Sequence, residues 1–149
     1  MGEFIQTGYT LRHIGITHGW PRWHHRAKYE FTLDAVNPLT YKAQEHLFIQ
    51  PDRHGTTDMG SIPEALQVII PKDRFLKSFI IHDSACRERG LYFSGCPARA
   101  FNFAPMSSRR IHDLLREMVL AEGGASWQAR LIWCAVRSFG PHFSTQPRG

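Results

Sequence analysis

The chain has 149 residues, of which 42% are hydrophobic and 12% aromatic, and this composition is typical of a globular domain rather than a disordered segment. No apolar run approaches the ~20 residues that a membrane helix needs, and the N-terminus lacks the regions of a signal peptide. The net charge of +5 favours anionic partners such as lipid headgroups. Nucleic acid is the weaker expectation, because the basic residues form no run. These features predict a soluble protein made in a reducing cytoplasm.

The chain divides into three segments. Residues 1–27 predict an N-terminal arm or first hairpin, residues 28–140 a single globular domain, and residues 141–149 a loosely held tail. The first segment contains four histidines, but no cysteine or carboxylate stands among them at metal-ligand spacing. We therefore expect its aromatic residues, Trp20 and Trp23, to pack on a partner or on the domain.

Alternating apolar and polar residues in Tyr29–Leu33 predict a strand, and Glu45–Ile49, which ends in an apolar run, predicts a second one. Helical periodicity follows from residue 64 onward. Helices are expected over residues 64–70, from about residue 73 to residue 90, after Ser107, and over residues 126–138, with an aromatic-rich loop over residues 91–105. Ser107 and Ser108 are expected to cap the third of these helices, and Gly123 and Gly124 to end it. The predicted fold class is α+β, with a small N-terminal antiparallel β-sheet followed by a three- to four-helix part. The three cysteines form no Cys-x-x-Cys motif and are expected as free thiols.

The helix over Phe75–Arg87 carries the adjacent pair His82 and Asp83 at the end of an apolar stripe. Neighbouring helical residues point about 100° apart, so we expect each side chain to contact a different partner. A histidine and a carboxylate on a buried helix lose free energy unless they are paired, which makes this helix the first candidate for chemistry. The alternative is a core histidine bonded to a backbone carbonyl and a surface aspartate.

Acidic residues on two other elements complete the candidate site. If the helices pack antiparallel, Asp113 can orient His82, which then acts as a general base on water. Asp58 lies in a small polar loop with Gly60 and Ser61, and with Asp83 it can hold a divalent cation, Ca²⁺ being the best match. That cation would polarise an ester or phosphoester oxygen. A purely structural network uses the same contacts, so this alternative stays open.

Two resemblances involve these residues. The segments Thr57-Asp58-x-x-Ser61-Ile62-Pro63, His82-Asp83, Asp113 and residues 127–140 resemble the family catalogued as domain of unknown function 1353, whose members are largely phage and prophage proteins. The helix also resembles that of small bacterial phospholipase A-two. The second resemblance implies His82 as the base, Asp83 as a calcium ligand and Asp113 as the partner of the histidine. Both families tend to have tyrosine where this chain has Cys86.

These observations support two functional hypotheses. The first is a bacteriophage-related hydrolase that cleaves an ester or a lipid with the help of a metal, with a site that has decayed in this chain as an option. The second is a non-catalytic virion component of a tail or head-tail assembly. Its partners would be other virion proteins or a second copy of the chain, contacted through the arm and the aromatic loop. Either protein would lie in the host cytoplasm after synthesis, and the second would be assembled into the virion.

Overall fold

The computed structural model describes residues 2–18, 25–57, 70 and 72–144. In this part of the chain eight strands form two antiparallel sheets, and three α-helices follow or interrupt them. The strands are β1 (Glu3–Gln6), β2 (Tyr9–His18), β3 (His25–Leu33), β4 (Thr40–Gln44), β5 (Leu47–Gln50), β6 (His54–Thr57), β7 (Gly90–Ser94) and β8 (Asn102–Pro105). The helices are α1 (Leu76–Glu88), which follows a 3₁₀ turn over Lys72–Phe75, α2 (Ser108–Ala121) and α3 (Ser126–Phe139).

The two sheets differ in strand order. One has five strands in the order β1-β4-β5-β7-β8, and the other has three in the order β2-β3-β6. The β2–β3 hairpin contains a bulge between His13 and Gly15, where Gly15 has a φ of +151°. Glycine reaches this φ without the steric penalty that a side chain would add.

The predicted architecture of one small N-terminal sheet followed by a helical part is wrong. The chain has two sheets, strands dominate its N-terminal half, and the β7–β8 hairpin separates α1 from α2, so the fold is only roughly α+β. The predicted aromatic loop is this hairpin, in which Tyr92 pairs with Phe103. Strand β7 is held by β5, which lies about forty residues earlier in the chain, and such distant pairing leaves little local signal.

The segment predicted as an arm or hairpin supplies β1 to the larger sheet and β2 to the smaller one. The predicted helix over residues 64–70 lies outside the described residues except for Ile70, and so do the last five residues of the predicted tail.

Helix α1 is the centre of the fold. It contacts β6 of one sheet, β7 of the other, and α2. Its residues Ser78, Phe79, Ile80 and Ile81 are all fully buried, so the helix is enclosed on more than one face. Because close packing surrounds the buried residues of this helix, its buried polar side chains are held in fixed positions.

Local signals fix where the later helices begin and end. The hydroxyl oxygen of Ser107 accepts a hydrogen bond from the backbone N–H of Arg110, as the predicted N-cap requires. After α2, Gly123 has a φ of +89°, which agrees with the predicted glycine stop. No helix within the described ranges is long and apolar enough to cross a membrane.

Candidate functional site

Helix α1 places a histidine and a cysteine one turn apart on the same face. His82 is 3% exposed, and Cys86, four residues later, is half-buried. The sulfur of Cys86 lies 3.6 Å from Nε2 of His82. This i, i+4 spacing brings side chains into contact on any α-helix, and here the contact joins a thiol to an imidazole.

A second histidine approaches from α2. Nδ1 of His112, which is 1% exposed, lies 3.0 Å from Nε2 of His82. On its other side, Nε2 of His112 lies 3.2 Å from the carbonyl oxygen of Pro141. A carbonyl oxygen can only accept, so Nε2 of His112 carries a hydrogen and Nδ1 of the neutral ring is an acceptor. The Nε2–H of His82 therefore donates to His112.

The other nitrogen of His82 faces a carboxylate. Nδ1 of His82 lies 3.5 Å from Oδ1 of Asp83, close enough for an ion pair but without a hydrogen bond. The second oxygen of Asp83 accepts a hydrogen bond of 2.5 Å from the hydroxyl of Thr57, at the end of β6. The strand thereby fixes the carboxylate beside the imidazole.

The two histidines have opposite pKa shifts. Burial lowers the pKa of His82, but the neighbouring Asp83 and Cys86 outweigh it and raise the pKa to about 9. Burial first, and then the charge of His82, lower the pKa of His112 to about 4. These opposite shifts favour a positive charge on His82, beside the Asp83 carboxylate, over one on His112.

The cluster of His82, Cys86 and His112 reaches solvent through Cys86, because the two rings are almost fully buried. Two clefts lined by described residues lie away from the cluster. One of 690 Å³ is lined by residues such as Asp52, Tyr92 and Arg99. Another of 470 Å³ lies on a different face of α2. Of the three side chains, Cys86 is the most accessible to a substrate.

Of the predicted site residues, the structure brings His82 and Asp83 together. Asp113 is exposed, and its Oδ1 accepts a hydrogen bond of 2.8 Å from the indole of Trp133. The prediction that Asp113 orients His82 does not agree with this geometry, since the preceding residue, His112, takes that place. The other predicted residues, Asp58, Gly60 and Ser61, lie outside the described residues.

Sequence reasoning missed His112 and undervalued Cys86. A signal for His112 was present, because Ser108, His112, Leu115 and Val119 recur at intervals of three or four residues and all are buried. That spacing places His112 on the buried face of α2 and Asp113 beside it on the exposed face. For Cys86 the signal was its distance of four residues from His82.

Comparisons with known proteins give one family. A family model described as protein of unknown function (DUF1353) matches residues 33–136. Searches of curated proteins and of solved structures find no match. The matched region includes α1 and α2, and with them all three residues of the cluster. The chain therefore belongs to the DUF1353 family.

Proposed function

We propose that the protein is a hydrolase of ester-type bonds in which Cys86 is the nucleophile and His82 its acid–base partner. One observation carries the proposal: the Cys86 sulfur lies 3.6 Å from one nitrogen of His82, and the Asp83 carboxylate lies 3.5 Å from the other. The three side chains thus lie in the spatial order of a nucleophile, its base and the group that orients the base. A phage or prophage origin is part of the proposal and rests on the family resemblance.

The chemistry follows from the positions of these atoms. The sulfur of Cys86, with its proton held on Nε2 of His82, attacks the carbonyl carbon of the ester. The leaving alkoxide takes that proton, and a thioester to Cys86 remains. Water then attacks the thioester and gives a proton to His82, so that the acid is released and the thiol is restored. Asp83 stabilises the ring of His82 in the two stages in which it carries the proton, before the alkoxide takes it and after water returns it.

His112 has a positioning role in this scheme. Its hydrogen bond to His82 and its bond to the Pro141 carbonyl hold the His82 ring in one orientation. The expected Ca²⁺ ion at Asp58 and Asp83 stays a separate proposal. This chemistry does not require that ion.

The test is hydrolysis of p-nitrophenyl esters with short and long acyl chains by the purified full chain. Substituting Cys86→Ser or His82→Gln should lower kcat by about 100-fold or more, as loss of a nucleophile or general base does. Cys134→Ser, which changes an exposed thiol away from the cluster, is the matched control. Brief treatment with iodoacetamide should label Cys86 and abolish activity together.

Two results would contradict the proposal. A folded wild-type chain that hydrolyses no ester would refute the proposed esterase activity. A Cys86→Ser variant that keeps full activity would show that Cys86 is not the nucleophile. Circular dichroism of each variant separates loss of activity from loss of folding.

A specific observation also favours the non-catalytic role in assembly. Strand β2 lies at the edge of the three-stranded sheet, with Ile14 41% and Ile16 60% exposed. An edge strand with exposed apolar residues is a common site of pairing between chains. If this role holds, light scattering should show concentration-dependent association that Ile16→Lys abolishes. A wild-type chain that stays monomeric at all concentrations and enters no particle would count against it.

A further inference from the structure

We propose that the protein binds one Zn²⁺ ion through Nε2 of His82, Sγ of Cys86 and Nδ1 of His112. These three atoms all lie within 4.8 Å of one another. They come from two helices that pack on each other, so the arrangement is held by the core and not by a loop. The inference rests on this geometry and goes beyond the proposed reaction.

The distances agree with the edges of a coordination tetrahedron. With Zn–N of about 2.05 Å and Zn–S of about 2.3 Å, tetrahedral angles give N···N of about 3.3 Å and N···S of about 3.6 Å. The observed separations are 3.0 Å between the two ring nitrogens and 3.6 Å between Sγ and Nε2 of His82. An ion therefore fits after the two ring nitrogens separate by a few tenths of an ångström and after Sγ of Cys86 and Nδ1 of His112, which lie within 4.8 Å of each other, come to about 3.6 Å apart.

The outer nitrogens of both rings have the partners that metal-bound histidines usually have. Nδ1 of His82 faces the Asp83 carboxylate at 3.5 Å, and Nε2 of His112 faces the Pro141 carbonyl at 3.2 Å. Carboxylates and backbone carbonyls in these positions fix the ring orientation and strengthen the inner nitrogen as a ligand. Asp83 is itself held by Thr57.

The donor set selects the metal. Two imidazole nitrogens and one thiolate suit Zn²⁺, whereas Ca²⁺ and Mg²⁺ require oxygen ligands. Three protein ligands leave a fourth position that water fills in catalytic zinc sites, and Cys86 is the ligand that is only half-buried. His142, whose ring centroid lies 6.5 Å from that of His112, is exposed and is not among the proposed ligands.

Metal binding and the thiol reaction compete for the same atoms. A Zn²⁺ ion on Sγ and Nε2 removes both the free nucleophile and its base. In consequence, and resting on the proposed function, Zn²⁺ should inhibit ester hydrolysis reversibly. The alternative is a metal-free cluster held by hydrogen bonds alone, in which Nε2 of His82 and Nδ1 of His112 stay 3.0 Å apart.

The experiment measures metal binding directly on the full chain. Chelator-treated protein is titrated with Zn²⁺ by calorimetry and with Co²⁺ by absorption spectroscopy. We expect one equivalent of each ion, with the intense visible bands of tetrahedral Co²⁺ and a near-ultraviolet band from sulfur-to-cobalt charge transfer. Cys86→Ser should lose the charge-transfer band, and His112→Gln should weaken Zn²⁺ binding at least tenfold, as loss of a ligand does. Cys134→Ser, the matched control, should change neither.

The outcomes separate this inference from the proposed function. A folded wild-type chain that binds no stoichiometric Zn²⁺, or a charge-transfer band that is lost in Cys134→Ser and kept in Cys86→Ser, overturns the metal site. Stoichiometric binding by a chain without esterase activity supports the site and removes only the proposed reaction. If the rate of hydrolysis increases with Zn²⁺, the predicted inhibition is wrong. The nucleophile is then metal-bound water and not Cys86.

Discussion

Replacing Glu122 tests how α1 is held in the centre of the fold. The N-cap position of α1, Phe75, has no side-chain hydrogen bond to the free N–H groups of the first turn. Glu122, at the end of α2, supplies the acceptor for this first turn. Its Oε1 accepts hydrogen bonds from the backbone N–H of Ser78 at 2.7 Å and from the Ser78 hydroxyl at 2.5 Å. Glu122→Ala leaves both donors of a fully buried serine without an acceptor.

The size of the effect follows from these two bonds. A hydrogen bond to a charged group contributes about 1.5–3 kcal/mol. Because the two bonds share one oxygen, whose burial carries its own penalty, we expect a total loss of about 3 kcal/mol and not the full sum. For a chain of this size that loss lowers Tm by about 6–12 °C. Urea denaturation and thermal unfolding by circular dichroism measure both quantities.

Two control variants make the test specific to Glu122. Glu117→Ala, an exposed glutamate on the same helix, should change stability by less than about 0.5 kcal/mol. Glu122→Gln keeps the acceptor oxygen and should lose less than Glu122→Ala. If Glu122→Ala is as stable as Glu117→Ala, the proposed anchoring of α1 is wrong.

The pH dependence has a definite sign. Burial raises the pKa of Glu122, although the bonds from Ser78 and the charge of Lys77 oppose it. The native state therefore binds the proton more tightly than the unfolded chain. The resulting stabilisation is fully present below the ordinary pKa and is lost as pH rises through the raised native pKa. Relative to Glu122→Gln, the wild type should gain stability as pH falls through this window, and a constant difference would refute the assignment.

The remaining predictions concern packing. Phe79→Ala removes a fully buried ring and should cost about 3–5 kcal/mol in urea denaturation; a loss below about 1 kcal/mol would show that the core is not packed there. Gly140→Ala places a methyl group against the carbonyl of Val136 and should destabilise by about 1–3 kcal/mol, whereas unchanged stability would mean that this turn can shift freely. Asp113→Asn changes the exposed hydrogen bond to Trp133, so the free energy of unfolding should change by no more than about 0.5 kcal/mol. A larger change would show that Asp113 has a structural role beyond this bond.

The sequence predicted the elements that depend on local signals. The N-cap at Ser107, the glycine stop after α2 and the stripe of apolar residues on α1 each involve residues within one or two turns. The division of the strands into two sheets could not be predicted in this way. In the three-stranded sheet β3 pairs with β6, and in the five-stranded sheet β5 pairs with β7, each across a long stretch of chain. Histidine and glycine in β2 also obscure the alternation that would identify a strand.

The candidate site was half predictable for the same reason. His82 stood out because it follows an apolar stripe, and Asp83 because it is adjacent. The choice between His112 and Asp113 depended on which residue of α2 faces α1, and a rotation of about 100° decides it. The contacts resolve this choice, since the Asp113 carboxylate lies on the Trp133 indole and His112 on His82.

The most direct measurement of the central claim, that the side chains of His82, Cys86 and His112 converge on one point, is a crystal structure of the full chain with one equivalent of Zn²⁺. An anomalous difference map at the zinc edge should contain a single peak about 2.0–2.1 Å from the two ring nitrogens and about 2.3 Å from the sulfur. A map without that peak would contradict the account. So would a peak bound by other residues while Nε2 of His82 and Nδ1 of His112 remain 3.0 Å apart.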